Sequence, residues 1–92
     1  MANNHYFYVL QCKDGSFYGG YTVNLERRIE EHNSGRGAKY TRGRTPVKLI
    51  YYECYRTKNE AMSAEYWFKK LPRVKKEAFL KEFASNEGTE KF

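Results

Sequence analysis

Two short aromatic segments, Tyr6-Phe7-Tyr8-Val9-Leu10 and Phe17-Tyr18-Gly19-Gly20-Tyr21-Thr22, flank the turn signal Lys13-Asp14-Gly15-Ser16. Aromatic and β-branched residues on both sides of such a turn read as a β-hairpin, and the length of its connection decides which side chains share a face. A two-residue turn at Asp14-Gly15 pairs Gln11 with Tyr18 and sends Tyr8 and Tyr18 to opposite faces. A three-residue loop, Lys13-Asp14-Gly15 with Gly15 left-handed, pairs Leu10 with Tyr18 and puts both tyrosines on one face. The second register is expected, because it alone builds a two-tyrosine site. Gly19 and Gly20 weaken the returning strand but allow another group to come close to its backbone.

The rest of the chain follows from periodicity and punctuation. Asn24 caps a helix that carries Leu25, Arg28, Ile29 and His32 on one stripe, and Ser34-Gly35 ends it. Residues 36–45 are basic, glycine-containing and irregular. After Pro46, a third strand runs from Val47 to Tyr55. Thr57-Lys58-Asn59-Glu60 has the capping-box pattern, and its helix runs to about Leu71, where Pro72 interrupts it. A last short helix carries Phe79, Leu80 and Phe83. The order β-β-α-β-α-α implies an α+β fold, a three-stranded antiparallel sheet flanked by helices that must cover it. The 92 residues make one domain, expected over residues 1–84, with a polar tail over 85–92 that is expected to be flexible.

Composition narrows the function. Aromatics are 17% of the chain, too many for a disordered segment. The longest apolar run, Tyr6 to Leu10, is far short of a membrane span, so no membrane association is expected. The N-terminus lacks a signal-peptide pattern. Cys12 and Cys54 lie far apart without zinc-type spacing, so reduced, buried thiols in a cytoplasmic protein are expected. The net charge is +6, with a sequence pI near 9.4, and it is segregated. No acid falls between Glu31 and Glu53, whereas Arg36, Lys39, Arg42, Arg44 and Lys48 do; Lys69, Lys70, Arg73, Lys75 and Lys76 form a second basic run. Such surfaces suit a polyanionic partner such as nucleic acid or an anionic membrane surface, and nucleic acid is the expected one.

Two polar groups sit where apolar ones belong. Arg28 and His32 share the packed stripe of the first helix, and a cation there needs a phosphate or a carboxylate as partner. Glu65 lies within the stripe Ala61, Ala64, Phe68 and Leu71 of the capped helix. A glutamate is almost never buried unpaired; a salt bridge to Arg28 or a bound divalent cation would each satisfy it.

Together these residues resemble the GIY-YIG nuclease superfamily. Tyr6-Phe7-Tyr8 matches the first name motif, Tyr18-Gly19-Gly20 the second, Leu25-Glu26-Arg27-Arg28 the following helix motif, with His32 one turn on and Glu65 on a later helix. Residues 34–44 look like those of the small, stand-alone bacterial branch. Tyr6, Phe7 and Gly19 depart from the name motif. The asparagine often found in the final helix is absent, with Glu77 near its place. The resemblance implies the GIY-YIG endonuclease fold and metal-dependent hydrolysis of DNA phosphodiesters, the catalytic set being Tyr8, Tyr18, Arg28, His32 and Glu65. It implies one Mg²⁺ or Mn²⁺ on Glu65, Arg28 on the scissile phosphate, and Tyr8 or Tyr18 as base, its pKa lowered by Arg28 and the metal. Lys39, Arg42, Arg44, Lys69, Lys70 and Arg73 would grip backbone phosphates without reading sequence. The alternatives are a non-catalytic nucleic-acid-binding module and a subunit of a larger nuclease or repair assembly whose protein partner selects the target.

Overall fold

The structure, a computed structural model, describes residues 4–83; the expected tail over 85–92 lies outside the described residues. Strands β1 (His5–Gln11) and β2 (Phe17–Thr22) form the hairpin, with Leu10 opposite Tyr18. Gly15 has φ +87°, a conformation that glycine adopts without cost. Asp14 supports the turn by accepting hydrogen bonds from the Ser16 amide and hydroxyl. The three-residue loop is therefore the observed one, and Tyr8 and Tyr18 share a face, their ring centroids 6.4 Å apart.

Strand β3 (Lys48–Tyr55) pairs antiparallel with β1 on its other side, which makes β1 central in the order β2-β1-β3. A register shift between Val9 and Leu10 leaves Ile50 as the extra residue of β3. It lets Leu49 pack with the core on one face of the sheet while Ile50 and Tyr51 pack on the other.

Helix α1 (Leu25–Asn33) covers the Tyr8 face, where Tyr8, Leu10, Cys12 and Val47 are buried against Leu25 and Ile29. Asn24 caps it by accepting from the Arg27 amide. Helices α2 (Lys58–Lys70) and α3 (Arg73–Phe83) cover the opposite face, burying Phe7, Val9, Phe68 and Leu80. Thr57 caps α2 by accepting from the Glu60 amide. Full burial of a ring such as Phe7 or Phe68 contributes about 1.5–3 kcal/mol, so these few side chains hold α2 in place. The basic segment contains one short 3₁₀ turn, η1 (Lys39–Thr41).

Two glycines bring the layers together at the β2 edge. A Cβ on Gly19 would meet the Phe68 ring at 3.1 Å, so its absence lets α2 lie against β2. A Cβ on Gly20 would stand 2.5 Å from the Tyr8 phenol, so the Tyr8 ring lies across the bare backbone of this residue. Cys12 is buried as expected, but Cys54 is exposed, because it falls on the outer part of edge strand β3. Among the described residues no helix is long and apolar enough to cross a membrane.

Candidate active site

The site is built around the Tyr8 phenol. Central strand β1 supplies Tyr8, and the packed face of α1 brings His32 to it, with 2.8 Å between Tyr8 Oη and His32 Nε2. The other ring nitrogen, Nδ1, lies 2.9 Å from Thr41 Oγ1 on the 3₁₀ turn. Tyr8, His32 and Thr41 are all essentially inaccessible to solvent. Tyr18, half-buried, packs edge-on against His32 at 5.3 Å and stacks on Tyr40 at 5.9 Å. Every buried side-chain nitrogen and oxygen among the described residues has a hydrogen-bond partner, so the cluster is a satisfied polar network.

Burial sets the electrostatics. It pushes the Tyr8 phenol well above the usual tyrosine range, and the Tyr18 and Glu65 charges add to the rise; Arg28 opposes it. The expectation of a lowered phenol is not met at Tyr8: Arg28 acts downward, but desolvation is the larger effect and leaves the group raised. Burial, helped by the Arg28 charge, pushes His32 down to about 4. His32 is thus a neutral imidazole at neutral pH, able to accept a proton on one nitrogen and donate from the other.

Arg28 and Glu65 are both near Tyr8 but not bonded to each other. Arg28 Nη1 donates to Glu31 Oε1 at 2.8 Å, one turn along the same helix. That contact holds the guanidinium above its ordinary pKa and the Glu31 carboxyl below its own. The Arg28 side chain remains 31% exposed, so an incoming anion can reach it. Glu65, whose side chain is only 16% exposed, pairs with Lys69 Nζ at 2.9 Å. Of the two partners open to Glu65 in the sequence, the salt bridge to Arg28 is not formed; two local pairs take its place, because i,i+3 and i,i+4 neighbours lie within reach on a helix. Lys69 also lies 5.6 Å from the Tyr18 ring centroid, which ties α2 to the tyrosines.

Among the described residues no group of three or more His, Cys, Asp or Glu side chains could hold a metal ion. Glu65 nevertheless fits a hard divalent cation. It offers carboxylate oxygens at a partly open position, and Mg²⁺ keeps several water ligands and binds readily through one carboxylate plus phosphate oxygens.

The expected phosphate-binding cations divide. Lys39 and Arg42 are exposed on the basic segment. Arg44 is engaged within the fold: it pairs with Asp14 at 3.1 Å, donates to the Tyr40 carbonyl at 2.6 Å and lies over the Tyr40 ring. Lys70 lies over Tyr66, and Arg73 lies over Phe17 while pairing with Glu77. Beside Tyr18 a groove of about 300 Å³ is lined by Phe17, Tyr40, Phe68, Lys69 and Lys76, giving it an aromatic floor with cationic rims. Sequence reasoning missed Thr41, Tyr40 and Lys69's pairing with Glu65. The i,i+4 spacing pointed to the last, but no spacing pointed to the first two.

The family described as "GIY-YIG catalytic domain" matches residues 4–78. A UPF0213 protein of Bacillus licheniformis is 64% identical over 81 residues, covering 88% of this chain and 84% of that protein. The UPF0213 protein YazA of Bacillus subtilis is 59% identical over 81 residues, covering 88% of this chain and 82% of YazA. Among solved structures, the solution NMR structure of a UPF0213 protein from Bacillus halodurans is 48% identical, with a TM-score of 0.63 and coverage of 92% of this chain and 90% of that one.

Proposed function

The chain belongs to the GIY-YIG family, and from that premise we propose that it is a divalent-metal-dependent endonuclease hydrolysing phosphodiester bonds in DNA. The observation that carries the reading is the convergence on one phenol of His32, Tyr18, Arg28 and Glu65, drawn from α1, β2 and α2. Hydrolysis needs a proton acceptor for the attacking water, positive charge for the phosphoryl oxygens, and stabilisation of the leaving oxygen. Arg28 contacts the scissile phosphate, exchanging Glu31 for a group whose negative charge grows as the water attacks. Tyr8 or Tyr18, as phenolate, takes the proton of the water; Arg28 and a bound cation would favour the phenolate, His32 orients the Tyr8 hydroxyl, and Tyr18 is more open to solvent. Glu65 would hold one Mg²⁺ or Mn²⁺, giving up Lys69 for it, and the ion would supply charge stabilisation and acidify bound water. Lys39, Arg42 and the cations around Lys69 bind backbone phosphates, which gives salt-dependent affinity with little sequence preference.

The Lys69–Glu65 ion pair favours a second reading, a nucleic-acid-binding module without catalysis, because the ammonium already neutralises the carboxylate. The two readings separate on a panel of branched, flapped and nicked DNA. The nuclease cuts at least one of them in Mg²⁺ or Mn²⁺ and stops when EDTA is added. Salt-dependent binding without product under either metal would instead establish the module.

A further inference from the structure

The segment between α1 and β3 does more than present cations. It lays the Gly37 backbone against the His32 ring, where a Cβ would come within 2.6 Å of His32 Cα. It also buries the Thr41 hydroxyl completely. The segment is pinned at its far end by Asn33, whose side chain accepts from the Val47 amide at 2.7 Å and donates to the Val47 carbonyl at 3.2 Å.

We infer that Thr41 is a positioning residue: its hydroxyl fixes the His32 tautomer so that Nε2 accepts from the Tyr8 hydroxyl. A hydroxyl has one hydrogen to give, and Thr41 Oγ1 donates it to the Ala38 carbonyl at 2.9 Å. Towards His32 Nδ1, also at 2.9 Å, Thr41 is therefore an acceptor, so Nδ1 carries the hydrogen. The Ala38 amide, which would favour the opposite tautomer, stands 3.4 Å from Nδ1, at the outer limit of a hydrogen bond. With Nδ1 protonated, Nε2 keeps its lone pair, and at 2.8 Å the Tyr8 hydroxyl must donate to it. The Tyr8 hydrogen is then directed at His32, leaving lone pairs of the phenol oxygen for Arg28 and for a water. The orienting partner of an imidazole commonly selects its tautomer in this way.

The inference deepens the nuclease reading, but its first test is independent of activity. Long-range ¹H–¹⁵N spectra of the histidine-labelled protein at neutral pH distinguish the two ring nitrogens. The expected result is a protonated, pyrrole-like Nδ1 and a pyridine-like Nε2 on His32. A pyridine-like Nδ1 in the wild-type protein overturns the inference, whether or not any variant folds. Thr41→Val should shift His32 toward the other tautomer, and Thr41→Ser should restore the wild-type spectrum. In the cleavage assay Thr41→Val should lower kcat about tenfold or more with KM unchanged, and Thr41→Ser should recover it. An unchanged His32 spectrum in a folded Thr41→Val protein also overturns the inference. A protein that cuts no DNA yet shows the expected tautomer would remove the nuclease reading and leave the Thr41 assignment standing.

Discussion

Glu65→Gln should reduce metal-dependent DNA cleavage by at least about 100-fold, the scale on which losing a group that stabilises transition-state charge is felt. Glutamine keeps the shape and loses the anion, so a divalent cation has no carboxylate to hold it. Stability should hardly change. The substitution removes an i,i+4 ion pair to a half-exposed lysine and leaves a neutral amide of the same shape in place of the carboxylate, a loss of about 1 kcal/mol or less. A loss of rate with an unmoved melting temperature is thus the expected pattern. Arg28→Ala should behave alike on the proposed reading, since it removes the cation assigned to the phosphate and leaves a partly exposed Glu31 to water. Wild-type rates from Glu65→Gln would show that the carboxylate takes no part in metal binding.

Acid should destabilise the fold through His32. In the unfolded chain this histidine titrates near its ordinary value of 6.5, and in the fold it is pushed down to about 4. Below 6.5 the unfolded state binds a proton that the folded state refuses, so stability falls as the pH drops and levels off only below about 4. The linkage amounts to roughly 3 kcal/mol at full extent, which for a domain of this size lowers the melting temperature by roughly 10–25 °C. Asp14 and Glu31, both held below the usual carboxylate range by their partners, act in the same direction but at lower pH. The interval from about 6.5 to 4.5 therefore reports His32. Melting curves of the wild type and of His32→Gln across that interval should diverge, the variant being the flatter. Parallel curves would show that the imidazole is not the buried, neutral group described.

The fold is legible in the sequence because its signals are local. Loop length fixes the Leu10–Tyr18 register, and the Thr57 and Asn24 caps mark the helix starts where the structure has them. The placing of helices on both faces follows from the need to cover a three-stranded sheet. The site is legible in its residue types, because an arginine, a histidine and a glutamate on apolar stripes need special partners. Which of the available partners each of them takes is not. Arg28 takes Glu31 and Glu65 takes Lys69 because i,i+3 and i,i+4 neighbours lie within reach on one helix face. Thr41 is invisible because the backbone of residues 34–47 carries no periodic signal; only its folding over His32 brings the hydroxyl to the ring. The raised pKa of Tyr8 escapes the sequence for a related reason: spacing shows which charges are near, but not how completely water is excluded.

The claim on which the nuclease reading rests is that one cation site serves Tyr8, Tyr18, Arg28 and Glu65 together. Mn²⁺ titrated into ¹⁵N-labelled protein with a short DNA present tests it directly, because the paramagnetic ion broadens nearby amides. The account predicts broadening centred on Glu65, extending to Tyr8, Tyr18 and Arg28, and abolished by Glu65→Gln. Broadening centred instead on the exposed acids Glu53 and Glu60, and unaffected by that substitution, would contradict it.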